Sequence, residues 1–424
     1  MTLEEYIARN YDNSATWFVE ECNRPWHVSR IANCIANKEY LMGKHKVLDR
    51  EDSEYKGKVL RTRKVIIQYA KTLMTFHDTL LLGKPVTVVS EDMDTAKEIS
   101  DIYKVGGYDS VDYKILDSVN KYGDAYEYVY VEDGFIKSKV LNSGECYPVY
   151  TDTGDYVALI EKWTDAFSGI TYYTVYYKDR VDYFDNMGGN GLVLNKSVTN
   201  VTGLPIHYHN TNDETPYFGT SVLNDIKPLL DELEDILSKM GDAIYVNSLN
   251  PMPVALGQRI ESSIPADATG YVMNLDNGDF KIVSTQMDYN TIKLYLDNIK
   301  MMINDVACFP SALSGNTNIA NVSQVSLQFL FELAINKSQE NEKWLNEGFV
   351  ERFKKFASVE NRLGKQIGMA TVEYNLSMPV ATDEVTDNLV KLHNIGAISL
   401  DTVREKSEYV KDVVAETERV ASEK

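Results

Sequence analysis

A chain of 424 residues is longer than one ordinary core needs, and it sets an expectation of two or three domains. Its composition, 44% hydrophobic and 25% charged, excludes intrinsic disorder, and no run approaches the roughly 18 apolar residues of a membrane span. A net charge of −20, from 63 acidic and 43 basic residues, excludes a basic nucleic-acid groove as the dominant surface and fits a solvated acidic exterior.

The first residues are amphipathic and acidic, unlike a signal peptide. Cys22, Cys34, Cys146 and Cys308 are widely spaced with no CxxC pair, and read as reduced thiols. The expectation is a soluble protein made inside the cell. The N-terminal third reads as helical. Residues 59–82 carry Val65, Ile66, Tyr69, Leu73, Phe76 and Leu80 on one side, together with the densest basic patch, Arg61, Arg63, Lys64 and Lys71. Gly83-Lys-Pro85 stops that helix, and short helices are expected over 94–104 and 108–122.

From residue 125 the period changes to two. The runs 125–131 and 135–140 about Glu132-Asp-Gly134 predict a hairpin, followed by strands over 146–150, 156–163, 171–178 and 180–184. The many tyrosines here fit half-buried strand faces better than a base-stacking surface. Residues 221–247 return to helical spacing, with Val222, Ile226, Leu230, Leu233 and Leu237 on an apolar stripe. The opposite face is acidic, with Asp225, Asp231, Glu232, Glu234, Asp235 and Asp242 against Lys227 and Lys239.

Residues 251–287 are short, punctuated by Pro and Gly, and partly strand-like at 271–275 and 280–283, with a turn at Asp276-Asn-Gly278. An amphipathic helix is expected over 288–308. A loop, 310–321, follows with no ionisable side chain, and then a second long helix to about residue 357. A late strand is expected over 371–378, and helices from 382 onward broken at Gly396-Ala-Ile-Ser399.

No reaction chemistry stands out. Gly83-Lys84 is followed by Pro and lacks the spacing of a phosphate-binding loop, and neither Gly106-Gly107 nor Gly188-Gly189 has dinucleotide spacing. His207 and His209 alternate on an expected strand without a third ligand, and no Ser or Cys sits in a nucleophile elbow. The loop 310–321 cannot perform acid–base or metal work by itself. The reading is a protein that is not an enzyme and takes no metal and no cofactor.

The order of parts resembles the portal proteins of tailed bacteriophages, the family typified by the portal of phage SPP1. The resemblance rests on Leu80-Leu-Leu-Gly-Lys-Pro85, Tyr122-Gly-Asp-Ala-Tyr-Glu-Tyr-Val-Tyr130, and Gly203-Leu-Pro-Ile206 with Asn210. It continues in Asn321-Val-Ser-Gln-Val-Ser-Leu-Gln-Phe-Leu330 leading to Lys337 and Glu340, and in the ending Gly396-Ala-Ile-Ser-Leu-Asp-Thr402, Tyr409-Val-Lys-Asp412, Glu416-Thr-Glu-Arg419.

The resemblance implies an α+β portal fold. A helical and β wing would occupy 1–215, stem helices 216–250 and 288–309, and a small β clip 251–287. The tunnel loop would be 310–321, a long helix returning to the wing 322–381, and a short helical crown 382–424. It implies a ring of about twelve subunits at one capsid vertex of the virion, assembled in the host cytoplasm. Double-stranded DNA would be packaged through it and ejected through it without sequence specificity. The implied partners are the large terminase subunit, a head–tail adaptor, and the major capsid and scaffold proteins, with no membrane. Ser311, Ser314, Gly315, Asn316, Thr317 and Asn318 would face DNA. Met252, Arg259, Tyr271, Asn277 and Asp279 would contact terminase or adaptor.

A tunnel lined with cations would hold phosphates, whereas an acidic wall lets a duplex slide. Asp231, Glu234, Asp235 and Asp242 are the expected wall; the alternative is that they are solvated or paired with a neighbouring subunit. Two other readings stay open at this level: a head–tail adaptor or tail component, and an enzyme whose site the sequence does not disclose.

Overall fold

A computed structural model describes residues 1–55, 58–187, 191–245, 252–256, 279–283, 288–310, 328–378, 382–407, 410 and 413–422. Two compact units emerge: Met1–Thr75 with Asp117–Tyr128 and Val140–Ala307, and Phe76–Leu116 with Val129–Lys139 and Cys308–Lys424. The division falls within the elements Tyr69–Leu82, Tyr108–Tyr122, Asp124–Glu132 and Phe135–Leu141.

The first unit begins with three helices, α1 (Leu3–Tyr11), α2 (Trp17–Cys22) and α3 (Pro25–Leu41). Thr2 starts α1 with a capping box, its hydroxyl accepting from Glu5 N while the Glu5 carboxylate accepts from Thr2 N. A small hairpin, β1 (Ser53–Tyr55) and β2 (Lys58–Leu60), follows α3.

The centre of the unit is a five-stranded antiparallel sheet in the order β10-β9-β8-β7-β6. Its strands are β6 (Cys146–Tyr150), β7 (Tyr156–Thr164), β8 (Thr171–Tyr176), β9 (Arg180–Asp185) and β10 (Val193–Thr199). Alternation decides which face each residue meets. Ala158, Ile160, Tyr173 and Val175 pack against Tyr6, Trp17 and Phe18 of α1 and α2. Leu159, Tyr176 and Val181 pack with Tyr126, Leu141 and Cys146 in a second cluster. A three-stranded sheet in the order β11-β4-β5 stands beside it, from β4 (Asp124–Glu132), β5 (Phe135–Leu141) and β11 (Ile206–His209). Asp133 and Gly134 both take positive φ, 53° and 81°, as a tight two-residue hairpin turn demands.

Two long helices complete this unit, α7 (Val222–Ile244) and α8 (Tyr289–Val306), which pack on each other. Between them in sequence, β12 (Met252–Leu256) pairs antiparallel with β13 (Asp279–Val283).

The second unit is built on α9 (Glu332–Arg362), with α4 (Tyr69–Leu82), α5 (Met93–Gly106) and α6 (Tyr108–Tyr122). Phe353 and Phe356 of α9 meet Tyr103 and Tyr108, with ring centroids 5.1–6.4 Å apart. The buried Arg352 donates to Tyr103 Oη (2.9 Å) and Asp112 Oδ1 (2.5 Å) inside that aromatic cluster. A short pair, β3 (Thr87–Val89) with β14 (Thr371–Glu373), and three C-terminal helices, α10 (Thr382–Asn394), α11 (Leu400–Lys406) and α12 (Val413–Ser422), make up the rest.

Three expectations change. The helix expected over 59–82 begins only at Tyr69, because the backbone N–H groups of 63, 65 and 67 are taken by side chains of α7. The strand expected over 371–378 ends at Glu373, after which Ser377 N bonds Leu80 O (2.8 Å) rather than a strand. The long helix after the uncharged loop, expected to about 357, runs on to Arg362. Strands β1, β2, β3, β10 and β12 are not expected from the sequence, the first three lying in a third read as helical. The strand and turn expected over 271–278 lie outside the described residues.

Candidate functional site

The region that the acidic stripe singles out is α7 with its surroundings in the first unit. Ser221 caps the helix: its hydroxyl accepts from Leu223 N and donates to Lys121 O (2.6 Å). Ahead of it, Gly219 and Gly123 touch backbone to backbone; a Cβ on Gly219 would lie 2.0 Å from Gly123 O. Gly219 N donates to Asp124 Oδ1 (3.1 Å), which also accepts from His207 Nε2 (3.0 Å), while Tyr150 Oη donates to His207 Nδ1 (2.7 Å). Burial holds the His207 imidazole down at about 4, against its usual 6.5, despite the neighbouring carboxylate. Burial opposes ionisation of Asp124 too, yet the His207 hydrogen bond and the Arg30 charge 3.6 Å away keep its pKa below the usual carboxylate value. The start of α7 is thus bolted to the β4–β11 sheet through a neutral histidine.

Leu223, Ile226, Leu230 and Leu233 form the buried stripe of α7. Pro228 interrupts the helix interior, removing the N–H that would bond Asn224 O; such a proline kinks helices and costs about 3 kcal/mol. Beyond it, the expected acidic wall divides. Glu234 is fully buried, and its Oε1 accepts from His45 Nδ1 (2.7 Å) and Ile67 N (2.7 Å). His45 is held in turn by Tyr40, whose ring stacks on it at 3.9 Å and whose carbonyl lies 2.9 Å from Nε2. One turn on, Ser238 Oγ accepts from Val65 N (2.9 Å); a further turn on, Asp242 Oδ1 accepts from Arg63 N (2.7 Å).

Residues 63–67 therefore form an extended strap along α7. Alternate N–H groups of the strap meet acceptors at 242, 238 and 234, four residues apart on the helix. The match is metric: two extended residues advance about 6.7 Å and four helical residues about 6 Å. Arg50 ties the two together, donating to Asp242 Oδ2 (2.9 Å) and to Arg63 O (2.7 Å).

Asp231 and Asp235 keep partial exposure on the other flank. They line a groove of about 850 Å³ together with Glu232, Asp49, Lys46, Arg50 and Lys227. Asp235 also pairs with Lys239 (2.5 Å). Tyr295 of α8 donates to Glu232 Oε1 (3.1 Å). On α8, Ile299 and Ile303 are buried, but the adjoining Tyr295, Met302 and Val306 remain 46%, 42% and 47% exposed, so its apolar arc is only half covered.

Of the residues expected at a clip, Met252 begins β12 and Asp279 begins β13, and the two strands pair antiparallel. Arg259, Tyr271 and Asn277 lie outside the described residues, as do Ser311, Ser314, Gly315, Asn316, Thr317 and Asn318. Sequence reasoning missed the strap and His45. The only signal for them is the spacing of Glu234, Ser238 and Asp242, of which the sequence reading took Glu234 and Asp242 as part of an acidic tunnel wall. The His207 and His209 rings share a side, 5.0 Å apart, but His207 is spent on Asp124 and Tyr150. Among the described residues, no group of three His, Cys, Asp or Glu side chains is placed to hold a metal ion, and no helix is long and apolar enough to cross a membrane.

The family described as phage portal protein, SPP1 Gp6-like, matches residues 26–424. Among solved structures, a chain in the neck of an empty gene transfer agent particle, computed with C6 symmetry, is 13% identical. The alignment covers 78% of this chain and 86% of that one, with a TM-score of 0.48. A chain of the native gene transfer agent virion is 12% identical, with 79% and 88% covered and a TM-score of 0.43. A chain of the native neck computed with C12 symmetry is 13% identical over the same shares, with a TM-score of 0.42. No curated protein sequence matches the chain.

Proposed function

Because the chain belongs to the SPP1 Gp6-like family of phage portal proteins, we propose that it forms a ring of about twelve subunits at one capsid vertex. The ring is the channel through which terminase packages DNA, through which DNA leaves, and to which the head–tail connector attaches. The observation that carries this reading is the family match, which extends over residues 26–424.

On this reading 1–215 and 322–381 form the wing, α7 and α8 the stem, 251–287 the clip, 310–321 the tunnel loop and 382–424 the crown. The protein acts as a conduit and docking ring, without catalysis and without metal or cofactor. Terminase and the head–tail adaptor meet the clip at Met252, Arg259, Tyr271, Asn277 and Asp279; capsid and scaffold proteins meet the outer ring. Ser311, Ser314, Gly315, Asn316, Thr317 and Asn318 offer the duplex an uncharged loop.

Two physical features support the reading. The half-covered apolar arc of α8 needs a partner surface, and the neighbouring stem supplies one. Asp231 and Glu232 are the carboxylates left to repel phosphate; Glu234, being buried, takes no part in the wall, Asp235 is paired with Lys239 and Arg50, and Asp242 is held by Arg50 and the strap. The test is the native mass of the purified protein together with electron-microscope images. A closed ring near twelve copies with a central hole is expected. A chain that stays monomeric or dimeric when concentrated with scaffold protein would overturn the reading.

A further inference from the structure

Resting on the ring reading, we infer that the 63–67 strap is a brace that fixes the course of α7 beyond Pro228 and thereby the number of subunits at which the ring closes. Pro228 gives α7 a weak point, and the strap grips only the part beyond it, starting at Glu234, six residues further on. The strap is anchored elsewhere in the same unit: Thr62 N donates to Asp52 Oδ1 (2.9 Å) and Lys64 Nζ to Leu48 O (2.8 Å). The Arg63 guanidinium also lies 4.8 Å over the ring of Tyr245, just past the helix end. The far half of α7 is therefore tied at three successive turns to the chain segment that follows α3.

The angles make this tie consequential. Rings of twelve and thirteen differ by about 2° in the rotation between neighbours. The three rungs span about 12 Å of helix, and a hydrogen bond tolerates about 0.5 Å of stretch, so the brace limits tilt to about 2°. Brace and ring closure therefore work at the same angular precision.

The experiment compares the wild-type chain with Ser238→Ala, Asp242→Ala and Asp242→Asn. Hydrogen exchange reads the amides of 63–67, and native mass spectrometry of assembled rings reads copy number. Ser238→Ala and Asp242→Ala are expected to speed exchange at Val65 and Arg63 about tenfold and to spread the rings over neighbouring copy numbers. Asp242→Asn, which keeps an oxygen for Arg63 N but loses the bond from Arg50, should fall between the wild type and Asp242→Ala in both readings. Ser238→Ala removes one oxygen without a change of shape, so it carries the test if the Asp242 variants fold poorly. Faster exchange with an unchanged copy number overturns the brace while leaving the ring reading intact. Unchanged exchange overturns it as well. A wild-type chain that forms no ring removes the ring reading itself, and the brace with it.

Discussion

Two single residues decide how α7 begins. His207 stays neutral in the folded chain down to about pH 4, whereas in the unfolded chain it protonates near 6.5. Between those values the unfolded state binds the extra proton, so stability falls as the pH drops from 6.5 to 4. The full effect is about 3 kcal/mol, at about 1.4 kcal/mol per pH unit. Denaturant unfolding at pH 7 and pH 4.5 should show the loss in the wild type and a smaller one in His207→Gln; equal losses would mean that His207 is not responsible. The second residue is Gly219, where the obstacle is backbone rather than a movable side chain. Gly219→Ala should cost about 2–4 kcal/mol, read as a lower urea midpoint at constant slope.

At the scale of elements, backbone hydrogen bonding overrides the helix pattern of 59–82. The periodicity of Val65, Tyr69, Leu73 and Phe76 is real, but a helix through 63–67 would take back the N–H groups that Glu234, Ser238 and Asp242 accept. Leaving the buried acceptors of Glu234 and Ser238 unsatisfied would cost about 1–3 kcal/mol each, more for the carboxylate, which outweighs a turn of helix. In the second unit, α9 is placed by a charge rather than by apolar contact alone. Arg352 is fully buried, 2.5 Å from Asp112, with its guanidinium 4.5 Å from the centre of the Phe349 ring. Arg352→Met should destabilise by about 3–5 kcal/mol, because Asp112 loses its cation in a dry site. Adding Asp112→Asn should recover part of that loss in calorimetry; no recovery would assign the effect to packing.

At the scale of the whole molecule, the net charge of −20 and the proposed conduit belong together. A polyanion passes most easily along a wall that does not exchange its counterions for fixed cations. Asp231→Lys with Glu232→Lys should therefore leave the ring assembled but slow the passage of DNA, most strongly at low salt, where screening is weakest. Packaging by such rings at the wild-type rate in low salt would show that these carboxylates do not line the path. Glu234→Gln should instead affect folding stability before transport, since its partners are His45 and the strap.

Sequence by itself determined the element types over most of the chain and the family to which it belongs. The reason is that period two and period 3.6 depend only on local spacing, and turn residues such as Asp133-Gly134 carry their own backbone preference. It also placed Glu234 and Asp242 on the acidic face of one helix. What that face meets was decided only by the tertiary structure. A carboxylate spaced for solvent and one spaced for a strap look identical along the chain, and the difference lies in backbone N–H groups 167 to 179 positions away in sequence. The same reason hid His45, whose partner Glu234 lies 189 positions further along.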